Sequence, residues 1–197
     1  MKAVMISIQP KWVEKIANGQ KTIEVRKTRP KLDMPFKCYI YCTKGSKGEK
    51  MCFGQYTCHI GNGKVIGHFV CDRIYNLVQA GAGIMFATEN LDLLEPQMFR
   101  DMSCLTDSQL ADYLGNKDGY AWHITDLVIY DEPKALGEFE HSCPTNLKKI
   151  PYINCLYCRY NFVGNRGNKC DCKVTRPPQS WCYVEEKEQN NEQRRND

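Results

Sequence analysis

No stretch of this sequence approaches the roughly 20 consecutive apolar residues that a helix needs to cross a bilayer. A membrane-spanning helix is thereby excluded as a reading. The opening Met1-Lys2-Ala3 leads directly into an alternating apolar stretch and carries no secretory h-region or cleavage site, so the expected location is cytoplasmic. Internal repeats are missing too, which removes solenoid and array architectures. Low complexity is confined to residues 185–197, nearly all charged or amide side chains, where a disordered tail is expected. The formal net charge of +4 is no strong excess of either sign.

What is present is enough for one core: 197 residues with 42% hydrophobic content fit one domain plus an appendage. The charges are unevenly placed. Residues 10–50 hold eleven Lys/Arg against four Asp/Glu, residues 144–176 hold seven against one, and residues 85–141 hold three against twelve. Two basic segments around an acidic one give a two-faced surface if the basic pieces fold to one side, as a polyanion binder requires; otherwise they are ordinary surface charge. Cysteine is abundant, at twelve residues, but a chain of this length without a signal peptide does not need disulfide staples, so reduced thiols are expected. Cys38, Cys42, Cys52, Cys58, Cys71 and Cys104 are scattered as small buried hydrophobes would be.

Along the chain, Val4, Ile6 and Ile8 alternate as a strand. Pro10 suits a first helical position, Trp12, Val13, Ile16 and Ala17 form an apolar face, and Gly19 stands where a left-handed cap closes a helix. Residues 37–43 read as a further strand, 44–63 as a hairpin excursion with short strands from about Met51 to Ile60, and 64–75 as one long central strand in which Gly67 marks a bulge or close approach. Residues 80–88 read as a small-residue linker, and the stretch on to Met102 as irregular with one helical turn. Thr106 and Gln109 make a capping box flanked by Leu105 and Leu110, and Gly115 ends that helix. Residues 120–130 read as a strand with apolar Trp122, Ile124, Leu127 and Ile129 and with His123 a polar strand position, and Trp181 to Val184 as a last strand returning to the body of the fold.

The stretch Gly19-Gln20-Lys21-Thr22-Ile23-Glu24-Val25-Arg26 packs opposite charges into a segment with strand character. Alternation sends Thr22, Glu24 and Arg26 one way and Ile23 and Val25 the other, toward an apolar core, with Lys21 at the turn before them. A hydroxyl, a carboxylate, a guanidinium and an ammonium then converge on a small polar ligand, or else form a solvated strand face with an ion pair. In the first case Glu24→Gln is expected to keep native-like stability and lose binding.

Gly19, Lys21, Glu24 and Arg26 match the GxKxxExR signature, and the order strand, helix, turn, charged strand fits as well, so the chain from about Met1 to Phe139 resembles ASCH domains of the PUA-like group. The resemblance implies an α+β fold: a PUA-like small β-barrel with flanking short helices over residues 1–140, followed here by a Cys-rich extension (141–184) and the tail (185–197). It also implies RNA or a modified nucleotide as ligand, with DNA left open, in a polar cleft that Gly19, Lys21, Thr22, Glu24 and Arg26 would line. Some small ASCH proteins are amidohydrolases acting on N4-acylated cytidine, with a Lys, a Thr nucleophile and a Glu. Lys21 matches that lysine, but Glu24 occupies the nucleophile's position, three residues on, and Thr22 is not at the equivalent place. A ribonuclease would ask Glu24 to act as base and Lys21 and Arg26 to stabilise phosphate. Lys21 and Glu24 are therefore the catalytic candidates, and both a binding module and an enzyme remain open.

Cys155, Cys158, Cys170 and Cys172 form two close pairs joined by a loop with Gly164 and Gly167, and four thiolates are what tetrahedral structural zinc takes. Cys143 or Cys182 is able to replace one of them. Metal would supply the folding drive that a short polar segment lacks. Arg159, Arg166, Lys169, Lys173 and Arg176, interleaved with Tyr157, Tyr160 and Phe162, suit phosphate contacts and base stacking, or an ordinary basic ribbon.

Overall fold

The computed structural model describes residues 2–45, 51–53, 56–59, 63–80, 83–88, 94–115, 117–141 and 173–186. In chain order the elements are β1 (Ala3–Ile8), α1 (Pro10–Ala17), β2 (Ile23–Arg26), β3 (Phe36–Cys42), β4 (Met51–Phe53), β5 (Tyr56–His59), β6 (Val65–Cys71), β7 (Ile74–Ala80), β8 (Gly83–Thr88), α2 (Pro96–Ser103), α3 (Asp107–Leu114), β9 (Gly119–His123), β10 (Thr125–Lys134), a 3₁₀ turn (Leu136–Glu138), β11 (Phe139–His141) and β12 (Trp181–Glu186). This is a sheet-dominated α+β fold with three α-helices among the described residues, none long and apolar enough to cross a membrane.

The strands form a six-stranded sheet in the order β10-β6-β3-β1-β12-β11, a four-stranded sheet in the order β2-β9-β7-β8, and the small hairpin β4-β5. The expected α+β, sheet-dominated fold is present, and no closed barrel forms among the described residues. Among the described residues each large sheet keeps two edges, because neither β2 nor β8 hydrogen-bonds to β10 or β11. The chain instead turns a corner twice between the sheets. The stretch read as one strand over 64–75 is β6 in the first sheet and β7 in the second, broken at Asp72 and Arg73; the stretch over 120–130 is β9 in the second sheet and β10 in the first, broken at Ile124. The two breaks are tied together, since the His123 backbone N–H donates to the Arg73 carbonyl at 2.9 Å and His123 Nδ1 lies 2.8 Å from Asp72 Oδ1.

Two other stretches are more regular than their composition suggests. Of the small-residue run read as a linker, Gly83–Thr88 form β8, antiparallel to β7 in register from Tyr75↔Thr88 to Ala80↔Gly83. The run read as irregular contains α2, started by Pro96 in its first turn and anchored by the buried Phe99. β12 runs through Glu186, two residues into the span assigned to the tail, and pairs with β1 on one side and β11 on the other. The rest of the tail lies outside the described residues, as do Cys143, Cys155, Cys158, Cys170 and Cys172.

Three apolar clusters hold the layers. One face of the six-stranded sheet packs Val4, Ile6, Ile8, Cys38, Ile40, Cys42 and Phe69 against Val13 and Ile16 of α1 and against Trp122 of β9. The opposite face carries Met5, Tyr39, Tyr41 and Val65 with Phe139, Val174 and Val184. The alternation read over residues 37–43 thus serves two cores, one on each side. The third cluster places Ile23, Val25, Leu77 and Ala121 of the four-stranded sheet against Phe99 of α2 and Leu110 and Leu114 of α3. Helix α3 carries the capping box, with Thr106 Oγ1 accepting from the Gln109 N–H at 3.2 Å and Gln109 Oε1 from the Thr106 N–H at 3.1 Å, and it ends at Gly115 with φ of +62°.

Candidate functional site

Helix α1 sets the entry to the charged strand. Gly19, at φ +71°, donates to the Ile16 carbonyl at 2.9 Å while Gln20 donates to Lys15 at 2.9 Å, the paired bonds of a Schellman ending. Gly19 therefore acts through its backbone and does not line the cavity into which the charged strand faces.

β2 is buried along its whole length, and that changes how its charges are read. Ile23 and Val25 face the third cluster, as alternation requires, while Glu24 and Arg26 alternate to the other side and are only 6% and 8% exposed. Lys21 is 2% exposed rather than displayed on a turn. Its Nζ donates to the Ser103 carbonyl at 2.6 Å, at the C-terminal end of α2, where the helix dipole favours a cation. The neighbouring Thr22 N–H donates to the Met102 carbonyl at 2.8 Å. Thr22 itself is half-buried and off the cavity wall, so it does not converge with Glu24 and Arg26.

The three charged groups form one buried array. Glu24 Oε1 lies 3.0 Å from Arg26 Nη2, and Glu24 Oε2 lies 3.4 Å from Lys21 Nζ. The second distance is an ion pair without hydrogen-bond geometry, for Glu24 Oε2 has no hydrogen-bond partner among the described residues, and neither has Arg26 Nε. Arg26 Nη2 also donates to the Ser7 carbonyl at 2.7 Å. Ser7 Oγ in turn donates to the Pro178 carbonyl at 2.6 Å, and the Ser7 N–H to the Ser180 carbonyl at 2.9 Å. Burial lowers the pKa of Lys21, and the Glu24 carboxylate partly offsets the shift.

These groups open onto a cavity of about 1040 Å³ lined by several separate segments of the chain. β1 and the start of α1 supply Ser7, Gln9, Lys11 and Trp12; β2 supplies Glu24 and Arg26, with Lys21 just before it; β3 and the residues after its end supply Tyr41, Thr43 and Lys44; α3 supplies Gln109, Asp112 and Tyr113. Residues Thr175 and Pro177 to Ser180 close one side. The indole of Trp12 stands 5.2 Å from Lys21 Nζ and 4.8 Å from Lys11 Nζ, measured to the ring centroid. Four cationic side chains line the cavity against two carboxylates, Glu24 and Asp112.

Sequence reasoning found Lys21, Glu24 and Arg26 but missed Ser7, Trp12, Ser103 and the 175–180 wall. Ser7 had a local signal, being the single hydroxyl in an otherwise apolar strand; the 175–180 wall, from the far end of the chain, had none. Among the described residues no group of three or more His, Cys, Asp or Glu is arranged to hold a metal ion. Cys182, the one metal candidate that is described, is half-buried in β12 opposite Met5, and burial pushes its thiol up to about 11. Of the basic residues around the cysteine pairs, Lys173 and Arg176 are exposed and the others lie outside the described residues.

No family model and no curated protein matches the chain. Its fold is similar to that of solved ASCH structures. The crystal structure of ASCH from Zymomonas mobilis has a TM-score of 0.52 at 20% identity, covering 93% of this chain and 87% of that one. A tyrosine-to-phenylalanine mutant of the Zymomonas mobilis protein gives the same TM-score and identity over 94% and 91%, and a serine-to-alanine mutant gives 0.51 at 19% over 93% and 88%. The chain has the ASCH-domain fold, over more of its length than the 139 residues that carry the sequence resemblance.

Proposed function

We propose that the cavity beside Lys21, Glu24 and Arg26 binds a nucleotide unit of RNA or a modified nucleotide, as a PUA-like module does. The observation that carries this reading is the charge balance of the buried array: two cations share one carboxylate, and the whole wall keeps a cationic surplus, so an anionic ligand relieves repulsion that the protein leaves in place. Arg26 Nε–H and Glu24 Oε2 each lack a hydrogen-bond partner among the described residues, which leaves one donor and one acceptor for a polar ligand group. Trp12 offers an indole for stacking.

A second reading, hydrolysis of a modified nucleoside such as an N4-acylcytidine, is favoured by one observation. Burial lowers the Lys21 pKa, which moves its amine toward the range of a general base. Against it, Glu24 stands where those amidohydrolases place their threonine and Thr22 is off the wall, so the nucleophile would have to be a water. The test is a titration with the four ribonucleoside monophosphates and a short RNA beside a turnover assay on N4-acetylcytidine and on that RNA. Saturable binding without product is expected; product formation that Lys21→Met abolishes would put the enzyme reading in its place.

A further inference from the structure

We propose that the loop leaving β2, residues Lys27 to Lys31, is a phosphate track for a single-stranded polynucleotide whose bound nucleotide sits in the cavity; the inference rests on the nucleotide-binding reading of that cavity. Lys27, Arg29 and Lys31 are exposed while Pro30 between them is buried, and no carboxylate interrupts the run. A loop with three cations in five positions is ordinarily loose. This one is fastened: Trp181 Nε1–H donates to Thr28 Oγ1 at 3.0 Å, and the Lys31 backbone N–H donates to the Tyr183 hydroxyl at 2.7 Å. The two aromatic rings brace each other edge to face at 5.3 Å. Because the backbone is fixed before any partner arrives, less ordering entropy is lost on contact.

The track is continuous with the cavity at both of its supports. Lys27 follows Arg26 directly, and its Nζ lies 5.3 Å from the centroid of Tyr113, a wall residue. Ser180, another wall residue, immediately precedes Trp181. Arg29 rests 5.8 Å from the ring of Tyr120, the partner of Arg26 across the β2–β9 pair. The cavity, at about 1040 Å³, is also at the upper limit of small-molecule clefts, roughly 300–1,000 Å³, and so has room for more than one nucleotide. Point cations on a fixed backbone read phosphate without reading sequence, which is what the flank of a strand requires.

The experiment uses the full chain and compares cytidine and adenosine monophosphates with mixed-sequence single-stranded RNAs of 2, 4 and 8 nucleotides, each titrated from low to high salt. Affinity is expected to rise with length. The salt slope of the 8-mer should exceed that of the monophosphate by about two log units per log salt, since each phosphate neutralised on a single strand contributes ~0.7. Lys27→Gln/Arg29→Gln/Lys31→Gln should remove the length-dependent gain and leave monophosphate binding alone; Lys27→Gln by itself, read in parallel, should remove part of it. An 8-mer bound no more tightly than a monophosphate, or a triple variant with unchanged 8-mer affinity and slope, overturns the track while leaving the cavity reading in place. Binding of the 8-mer with no monophosphate binding overturns the cavity reading instead. Poly-glutamate or anionic vesicles that displace the 8-mer at equal charge concentration would also overturn the track, marking a general anion surface.

Discussion

At the scale of single residues, burial decides what the charged stretch does. Glu24 is the shared counter-ion of two enclosed cations, so Glu24→Gln leaves Lys21 and Arg26 facing each other without compensation. Breaking a buried pair costs about 3–5 kcal/mol, and each kilocalorie lowers Tm by about 2–4 °C in a domain of this size. A Tm drop of roughly 6–20 °C is expected, which replaces the native-like stability anticipated from the sequence; an unchanged Tm would mean the carboxylate is not needed as a counter-ion. Lys21 gives a cleaner handle. Its pKa is lowered by burial below the ordinary 10.5, so between the lowered value and 10.5 the unfolded chain holds more protons than the folded one, and stability rises with pH across that window. Lys21→Met lacks this dependence. The Tm difference between variant and parent should therefore shift in the parent's favour as pH climbs toward 10.5, and parallel pH profiles would remove the burial argument. At neutral pH the same variant should lose monophosphate binding.

At the scale of elements, Gly67 marks a close approach between β6 and β10 in the larger sheet. A Cβ there would stand 2.2 Å from the Val128 carbonyl oxygen and 3.1 Å from Ile129 Cα, both backbone atoms of β10 that no rotamer change can clear. Gly67→Ala should cost at least the ~1–3 kcal/mol of ordinary overpacking and expose β10 amides to hydrogen exchange ahead of the rest of the sheet; native protection in β10 would show that the strand pair absorbs a methyl. The glycine was legible in the sequence because it interrupts a β-branched run, and α3 was legible because Thr106, Gln109 and Gly115 signal a helix by local chemistry alone. Helix α2 was not. It buries only Phe99 and Ser103, too few to leave a periodic stripe. The two strand corners were hidden for a similar reason, since Asp72-Arg73 and Ile124 include neither Gly nor Pro. Lys21 was readable as a site residue but not as a buried one, because the carbonyl that receives its ammonium lies 82 residues further on.

At the scale of the whole molecule, β12 makes the end of the described chain part of its centre. It lies between β1 and β11 in the six-stranded sheet, and the segment before it forms a cavity wall held by Ser7. A chain cut after His141 loses that strand, leaves the inward edge of β1 unpaired, and is expected to be insoluble or molten by near-ultraviolet circular dichroism, whereas a cooperative thermal transition in the cut protein would show that residues 2–141 fold alone. The same placement bears on how the protein is born. A ribosome working at about 5–20 residues per second delivers β12 on the order of 10–35 s after the β1 strand it must join, because 178 residues separate their first positions, Ala3 and Trp181. Until then β1 has β3 as its only sheet neighbour and Arg26 faces a cavity with one side missing. The nascent polypeptide consequently carries the cavity with that wall missing until the segment before β12 and the strand itself have been made.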